Sequence, residues 1–333
     1  MLKNNITDPN PDNAPLVSVV IPVKNGIDTL PSCLEGLFRQ TLKDRMEVIV
    51  IDSGSTDGTL ELLTRFPVRV HNLPPKEFNH GETRNLGVAL SKGTFVVMTV
   101  QDATPATDNW IELMLPHFDN PEVAGVCGQQ IVRDDPEKNP LQWFAPVSEA
   151  RPRLIQFKNS ADFTSLPGKE QHQYCNWDDV TAMYRKSLKE KLPFKKLMFS
   201  EDTLWAKDAL SQGYAIVYDY RARVYHYHHQ NYGFYFKRSY IILYQNYKFY
   251  NYIKFPKNPL VVVPQIIVRM LKKQMTLSRK FHWTRYNLRL VAAAWHAAVI
   301  FWFIATFRGM EGVESSQKKY VGFPPQGVQS KKP

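Results

Sequence analysis

Val17-Ser18-Val19-Val20-Ile21-Pro22-Val23-Lys24-Asn25-Gly26 and Glu47-Val48-Ile49-Val50-Ile51-Asp52-Ser53-Gly54-Ser55-Thr56-Asp57-Gly58-Thr59 share one pattern: an apolar run that ends in small, polar and turn-forming residues. Runs without polar alternation suit strands buried on both faces. Between them, Thr29 to Gln40 carries Leu30, Cys33, Leu34, Leu37 and Phe38 at helical spacing. Working outward, Thr59–Thr64 predicts a short helix and Val68–His71 a third strand. Glu82–Ser91 predicts a third helix and Thr94–Thr99 a fourth strand. Alternation of this kind predicts an α/β fold, a mostly parallel sheet with helices on both faces. Ligands on such sheets sit beyond the carboxyl ends of the strands. The polar segments Lys24-Asn25-Gly26, Asp52–Thr59 and Gln101-Asp102-Ala103 fall at those ends. No G-x-G-x-x-G follows the first strand and no G-x-x-x-x-G-K-[ST] occurs, which argues against dinucleotide dehydrogenases and P-loop enzymes.

Residues 120–200 are less regular, with a loop predicted over Arg133–Asn139 and a strand-like Val180–Tyr184. Ser200-Glu201-Asp202 opens a helix that runs through Gln212 and stops at Gly213. Ala215–Tyr218 and Arg223–His228 read as two short strands, and on the second His226 and His228 face one side together.

The chain has 333 residues, 44% of them apolar or aromatic, enough for about two domains and a sizeable core. Cys33, Cys127 and Cys175 show neither C-x-x-C nor zinc spacing, so a reducing compartment is expected. The polar Met1–Asn13 stretch lacks the apolar segment of a signal peptide, and a cytosolic protein is expected. The net charge of +11 is unevenly placed: from residue 221 onward there are 19 Lys and Arg against Glu311 and Glu314. The first 220 residues are net acidic, so two regions with different tasks are predicted.

Taken together, these motifs resemble family 2 glycosyltransferases, which have the GT-A fold. Val17–Thr59 looks like the start of that family. Phe78-Asn79-His80-Gly81-Glu82-Thr83-Arg84-Asn85, Val100-Gln101-Asp102-Ala103, Phe199-Ser200-Glu201-Asp202-Thr203-Leu204-Trp205-Ala206 and Val224-Tyr225-His226-Tyr227-His228 resemble its rhamnosyltransferase-like branch. The resemblance implies a GT-A domain over residues 15–230, after a flexible terminus at 1–14. It implies an inverting transfer in which an acceptor hydroxyl displaces a nucleoside diphosphate, assisted by a cation and a base on opposite sides of the sugar. The donor it favours is dTDP-L-rhamnose, giving an α-L-rhamnosyl product, with a UDP-sugar as the alternative. The acceptor is a lipid-linked glycan or a polysaccharide.

Residue by residue, Asp102 matches the acid by which the family holds Mg²⁺ or Mn²⁺ against the diphosphate. The usual second acid is missing, since Gln101 and Ala103 flank it. Read without the resemblance, Asp102 with Thr104 and Pro105 shapes a turn. His226 or His228 would complete the metal shell; the other reading is an aromatic surface strand. Asp202 matches the catalytic base, and the helix N-terminus is expected to keep it ionised. Glu201 is a second candidate, and both also suit an ordinary first turn capped by Ser200. Asp52 matches the aspartate that accepts a pyrimidine N3–H. Pro22, Val23, Asn25 and Gln101 would line the nucleotide, and Arg84 would pair with base or diphosphate. Ser55 and Asp57 suit either a nucleotide contact or a turn and helix cap, the cap being favoured for Asp57, and His80 has no assigned role beyond packing beside Phe78. Asn176 and Asp178 would contact sugar, with Trp177 stacking on a sugar ring or simply buried.

Residues 231–333 form a basic, aromatic-rich helical region. Between Tyr225 and Phe255 lie 13 aromatics, four basic residues and no acid. Phe236, Tyr240, Tyr244 and Tyr247 share a helical face, with Lys237, Arg238 and Lys248 elsewhere round the wheel. Leu290–Phe307 is an uncharged run of 18 residues between Arg289 and Arg308, short for a membrane span. The pattern predicts helices lying on the anionic inner face of the cell membrane. The alternative is packing on the catalytic domain or on a second copy in a homo-oligomer. No nucleic-acid partner is expected, because the apolar run would serve no purpose there. A GT-A scaffold without turnover is the competing function, favoured by the missing second acid.

Overall fold

The computed structural model describes residues 14–146 and 150–322. Residues 1–13 of the expected flexible terminus lie outside the described residues. The central strand β1 (Val17–Val23) has β2 (Met46–Asp52) on one side and β4 (Phe95–Met98) on the other, both parallel to it, and β3 (Arg69–Asn72) extends the sheet beyond β2. Valine and isoleucine therefore occupy both faces of β1. Val17, Val19 and Ile21 pack against α1 (Leu30–Phe38) and α4 (Trp110–Met114). Val20 packs on the opposite side, in a cluster with residues of α3 (His80–Leu90), α7 (Lys186–Lys191) and α8 (Glu201–Ser211). α2 (Thr59–Leu63) is the short helix after β2.

The second half of the sheet departs from the parallel expectation. Its order is β3-β2-β1-β4-β8-β6-β9-β5, with β7 (Arg153–Ile155) also on β9. β8 (Ala182–Arg185) runs antiparallel to both β4 and β6 (Val123–Ile131), whereas β6 and β9 (Ala215–Tyr225) are parallel. The region read as irregular thus holds a full central strand, β6. The two short strands expected at 215–228 are one strand, β9, which ends at Tyr225, so His226 and His228 lie just beyond it. A register shift separates Cys127 from Gln129 at Gly128, where a Cβ would lie 2.2 Å from the Ala222 carbonyl oxygen. Only glycine allows that approach. α5 (Ser160–Thr164) and α6 (Gly168–Tyr174) fill the connection before β8. All three cysteines are buried and free.

Register decides where the site forms. Val23 pairs with Asp52, Asp52 with Asn72, and Met98 with Ala182, so the carboxyl ends of β1, β2 and β4 and the start of β8 share one edge. The two-residue strand β5 (Thr104–Pro105) pairs Thr104 with Tyr225, which draws Asp102 beside the residues that follow β9.

Beyond the sheet, α9 (Tyr232–Tyr250), α10 (Pro259–Leu271) and α11 (Leu277–Tyr320) follow. α11 breaks at Gly309, whose φ of 56° and ψ of −156° are not helical. Tyr240, Ile241 and Leu243 of α9 cluster with Ala297, Ala298, Phe301 and Ala305 of α11, so the small residues of the uncharged run let the two helices approach. Ile266 and Met270 of α10 meet Trp283 of α11. Paired side-chain amides of Asn139 and Asn287, at 2.9 and 3.0 Å, tie α11 to the loop after β6.

Candidate active site

Asp102, His226 and His228 converge where the sheet edge meets the end of β9. His226 Nε2 lies 3.4 Å from Asp102 Oδ1, and His228 Nε2 lies 3.3 Å from Oδ2. Their candidate ligand atoms all fall within 4.8 Å of one another. Ligands at right angles on bonds of about 2.1 Å stand roughly 3 Å apart, so a small divalent cation fits among them. His226 Nδ1 meets the Gln130 side-chain oxygen at 2.7 Å. With that oxygen accepting, Nδ1 carries the proton and Nε2 presents its lone pair. Nε2 is buried and has no hydrogen-bond partner. An orphaned nitrogen aimed at a carboxylate is the arrangement a metal completes. Burial pushes the Asp102 carboxyl up, but His226 and His228 more than offset it and hold it below its usual range. Burial, and after it the neighbouring His226, lower His228 below its usual value. One acid and two imidazoles are thus the residues that could hold a cation here.

The cluster borders a cavity of about 410 Å³ whose lining also includes Pro22, Val23, Asn25, Phe78, His80, Arg84 and Gln101. Gln101 closes it by a paired bond: its Oε1 accepts from Lys24 N at 2.8 Å and its Nε2 donates to Lys24 O at 3.2 Å. Ser55 Oγ accepts from Asn25 N at 2.8 Å, and Asn25 Oδ1 accepts from Thr56 N at 2.9 Å, stapling the loops after β1 and β2 together. Asp57 accepts from Ile27 N and Thr59 N, both at 3.1 Å, serving as turn and cap. Asp52 corrects the expectation of a base contact. It is 2% exposed and absent from the cavity lining. Its carboxylate is taken up by Gly54 N, Ser55 N and Ser55 Oγ, so it shapes the loop.

A second cavity of about 520 Å³ shares His80, His226 and His228 with the first and is also lined by Asp178, Asp202 and Gln130. Asp202 sits in the first turn of α8, with Oδ1 accepting from Thr203 N at 2.7 Å. Ser200 does not cap that helix; it adopts a left-handed φ of 64° and makes no capping bond, which turns the chain sharply into α8. Glu201 is buried and ion-paired to Arg84, and Arg84 Nε lies 3.4 Å from Asp179 Oδ2. Arg84 lines both cavities with its charge shared by two carboxylates, and Glu201, which lines the second, also braces α8 against α3. The helix N-terminus does not keep Asp202 acidic either. Burial, then Glu201 and Asp179, push its carboxyl well above the usual range, outweighing Arg84 and the Thr203 amide.

The three residues before β8 separate. Asp178 lines the second cavity and accepts from Val180 N at 3.0 Å. Trp177 is 3% exposed, donates to Tyr184 Oη at 2.7 Å and packs on Trp205 and Tyr218, leaving no face for a sugar. Asn176 opens into a separate recess with Lys169, His172 and Tyr252. His80 borders both cavities and stacks edge-on to Phe78 at 4.9 Å. Burial and the Arg84 charge lower it to about 4, so it is neutral. Sequence reading missed Arg238 of α9, which also lines the second cavity.

The model of glycosyl transferase family 2 matches residues 18–189, just over half of the chain. This chain belongs to glycosyl transferase family 2. Among curated relatives, the O-antigen chain rhamnosyltransferase RfbN of Salmonella typhimurium strain LT2 is 32% identical over 216 residues, which is 64% of this chain and 66% of that protein. The O-antigen chain rhamnosyltransferase WbaN of Salmonella anatum is 33% identical over 195 residues, 57% of this chain and 59% of the relative. The chain thus spans less than two thirds of either relative. The rhamnosyltransferase-like branch is the one these similarities point to. Residues 1–349 of TarS from S. aureus superpose with a TM-score of 0.51 at 15% identity, covering 91% of this chain and 90% of that one. The mannosyltransferase PcManGT from Pyrobaculum calidifontis, solved with GDP-Man and Mn²⁺, superposes with a TM-score of 0.50 at 15% identity, covering 99% and 92%. These likenesses concern the fold, and the family 2 domain has the expected GT-A architecture.

Proposed function

We propose that this chain is an inverting glycosyltransferase that moves an L-rhamnosyl group from dTDP-L-rhamnose to a hydroxyl of a lipid-linked or polysaccharide acceptor. The observation that carries the reading is the Asp102–His226–His228 cluster, whose histidines line both a cavity suited to a nucleotide and another that holds Asp202. The two rhamnosyltransferase relatives support the sugar and the polysaccharide acceptor. In this reading the nucleotide lies against Pro22, Val23, Asn25 and Gln101, and the sugar extends past the cluster toward Asp178 and Asp202. A Mg²⁺ or Mn²⁺ ion held by Asp102, His226 and His228 would offset the charge of the leaving diphosphate. Asp202 accepts the proton of the attacking hydroxyl as the anomeric carbon exchanges its diphosphate oxygen for the acceptor oxygen.

The acceptor explains the second region. Leu260 is 84% exposed, Phe281 72% and Phe307 66%, and the chain carries no acid between residues 221 and 310. The helix Leu277–Tyr320 is long and apolar enough, by length and composition, to cross a membrane. Its alanine face is occupied by α9, however, so the helix pair suits peripheral docking on an anionic leaflet, apolar side chains inserted and lysines and arginines at the headgroups. That docking would hold the enzyme at the inner face of the cell membrane, where a lipid-linked acceptor is reached.

The test is nucleoside diphosphate release from dTDP-rhamnose, UDP-sugars and GDP-sugars with Mg²⁺, Mn²⁺ or chelator, by wild type and Asp202→Asn. Release from dTDP-rhamnose that needs both metal and Asp202 is the expected result. Preference for a UDP-sugar would replace the donor. Donor binding without turnover, in the presence of membrane extracts containing acceptor, would favour the scaffold instead.

A further inference from the structure

Arg238 is the feature that the family match does not reach, since the match ends at residue 189. It sits on α9, and the opposite face of that helix is fixed to α11 through Tyr240 and Tyr247 on Phe301. The side chain turns inward and shares the second cavity with Asp178, Asp202, His226 and His228. Its guanidinium lies 5.7 Å from the centre of the Phe199 ring, which supports it from one side. Among the described residues it makes no hydrogen bond and no ion pair, although the other buried cation of the cavity, Arg84, is held by two carboxylates. A half-buried guanidinium beside a cation site, with its donors unspent, is built to receive an anion.

We propose that Arg238 grips the sugar-side phosphate of the donor diphosphate, so that the C-terminal helical region supplies a catalytic residue to the GT-A domain. The assignment rests on the glycosyltransferase reading above. The two cavities meet at His80, His226 and His228, and Arg238 lines only the second, so a donor whose nucleoside fills the first brings its sugar-side phosphate nearer to Arg238 than its nucleoside-side phosphate. When the bond from the anomeric carbon to the diphosphate breaks, its electron pair stays on the phosphate oxygen. The acceptor oxygen bonds to the carbon, and the acceptor proton goes to Asp202. Arg238 then faces the oxygen on which negative charge grows.

Calorimetric titration of the full chain with dTDP, UDP, dTMP and UMP in the presence of Mn²⁺ tests this, using wild type, Arg238→Ala and Arg238→Lys. The expected result is a loss of about 10- to 100-fold in diphosphate affinity for Arg238→Ala, with partial recovery in Arg238→Lys and little change for the monophosphates. An equal loss for mono- and diphosphates would show a merely structural effect and overturn the assignment. Unchanged diphosphate affinity would overturn it too, while leaving the glycosyltransferase reading in place. Failure of the wild type to bind any of the four nucleotides would overturn that reading, and this assignment with it.

Discussion

Gln130 and His226 show how much a single hydrogen bond decides at the residue scale. The 2.7 Å contact to Gln130 fixes which imidazole nitrogen is free, and the free one faces Asp102. Gln130→Leu is therefore expected to weaken metal binding about 10–100-fold without touching a ligand. Mn²⁺ titration in the presence of nucleoside diphosphate measures it, and unchanged affinity would remove His226 from the metal site. Asp102→Ala should abolish metal-dependent binding altogether. Asp202 makes a second prediction through pH. Its carboxyl is pushed above the usual range by burial and then by Glu201 and Asp179, and a base works only when ionised. The rate should accordingly rise with pH along a limb that lies above the ordinary aspartate range. Asp202→Asn should erase that limb and lower kcat by about 10²–10⁴-fold. A limb at ordinary aspartate pKa, read from kcat/KM against pH, would count against the assignment.

At the scale of elements, α8 is held by a buried set of charges. Arg84 of α3 joins Glu201 of α8 to Asp179, and Tyr184 of β8 donates to Asp179. Lys189 of α7 lies beneath them, 1% exposed, 3.3 Å above the Phe194 ring, with Nζ donating to Leu192 O at 3.1 Å. Burial lowers Lys189 to about 7 from its usual 10.5. Between those values the unfolded chain holds a proton that the native protein lacks, so this residue makes stability rise with pH. Urea unfolding of wild type and Lys189→Met near pH 6.5 and near pH 9 should show the wild type gaining on the variant at the higher pH; a constant difference would contradict it. Trp177 belongs to the same layer. Trp177→Ala should cost about 3–5 kcal/mol of stability, whereas a sugar-stacking tryptophan would cost activity alone.

For the whole molecule, α10 and α11 carry exposed apolar side chains, Leu260, Phe281 and Phe307 among them, in a stretch without acids from residue 221 to 310. Vesicles containing anionic lipid should co-sediment the protein, neutral vesicles should do so weakly, and added salt should release it. Replacing Leu260, Phe281 and Phe307 by glutamate should abolish vesicle binding and leave dTDP affinity unchanged. Vesicle binding that survives the triple change would place the docking surface elsewhere.

How much of this was legible in the chain follows from what each feature depends on. The buried strands β1, β2 and β4, the polar ends of those strands and the start of α8 are set by local pattern: apolar runs, turn residues and helix spacing act over a few neighbours. The motifs likewise announced Asp102, Asp202 and the two histidines as a group. What the sequence could not decide is which charges meet. Glu201 and Arg84 lie 117 positions apart, and only the packing of α8 on α3 makes them partners. Asp202 reads as an exposed first-turn acid until burial and two neighbouring carboxylates reverse its acidity. Asp52 is consumed by its own loop, and β9 is continuous because its bulge with β6 is absorbed at Gly128. Arg238 lies the furthest from local pattern. On a helical wheel it is one more basic residue, and only the tertiary placement of α9, packed on α11, brings it into the cavity that holds Asp178, Asp202 and the two histidines. Local periodicity specifies elements; long-range burial and electrostatics choose the neighbours, and the chemistry belongs to the neighbours.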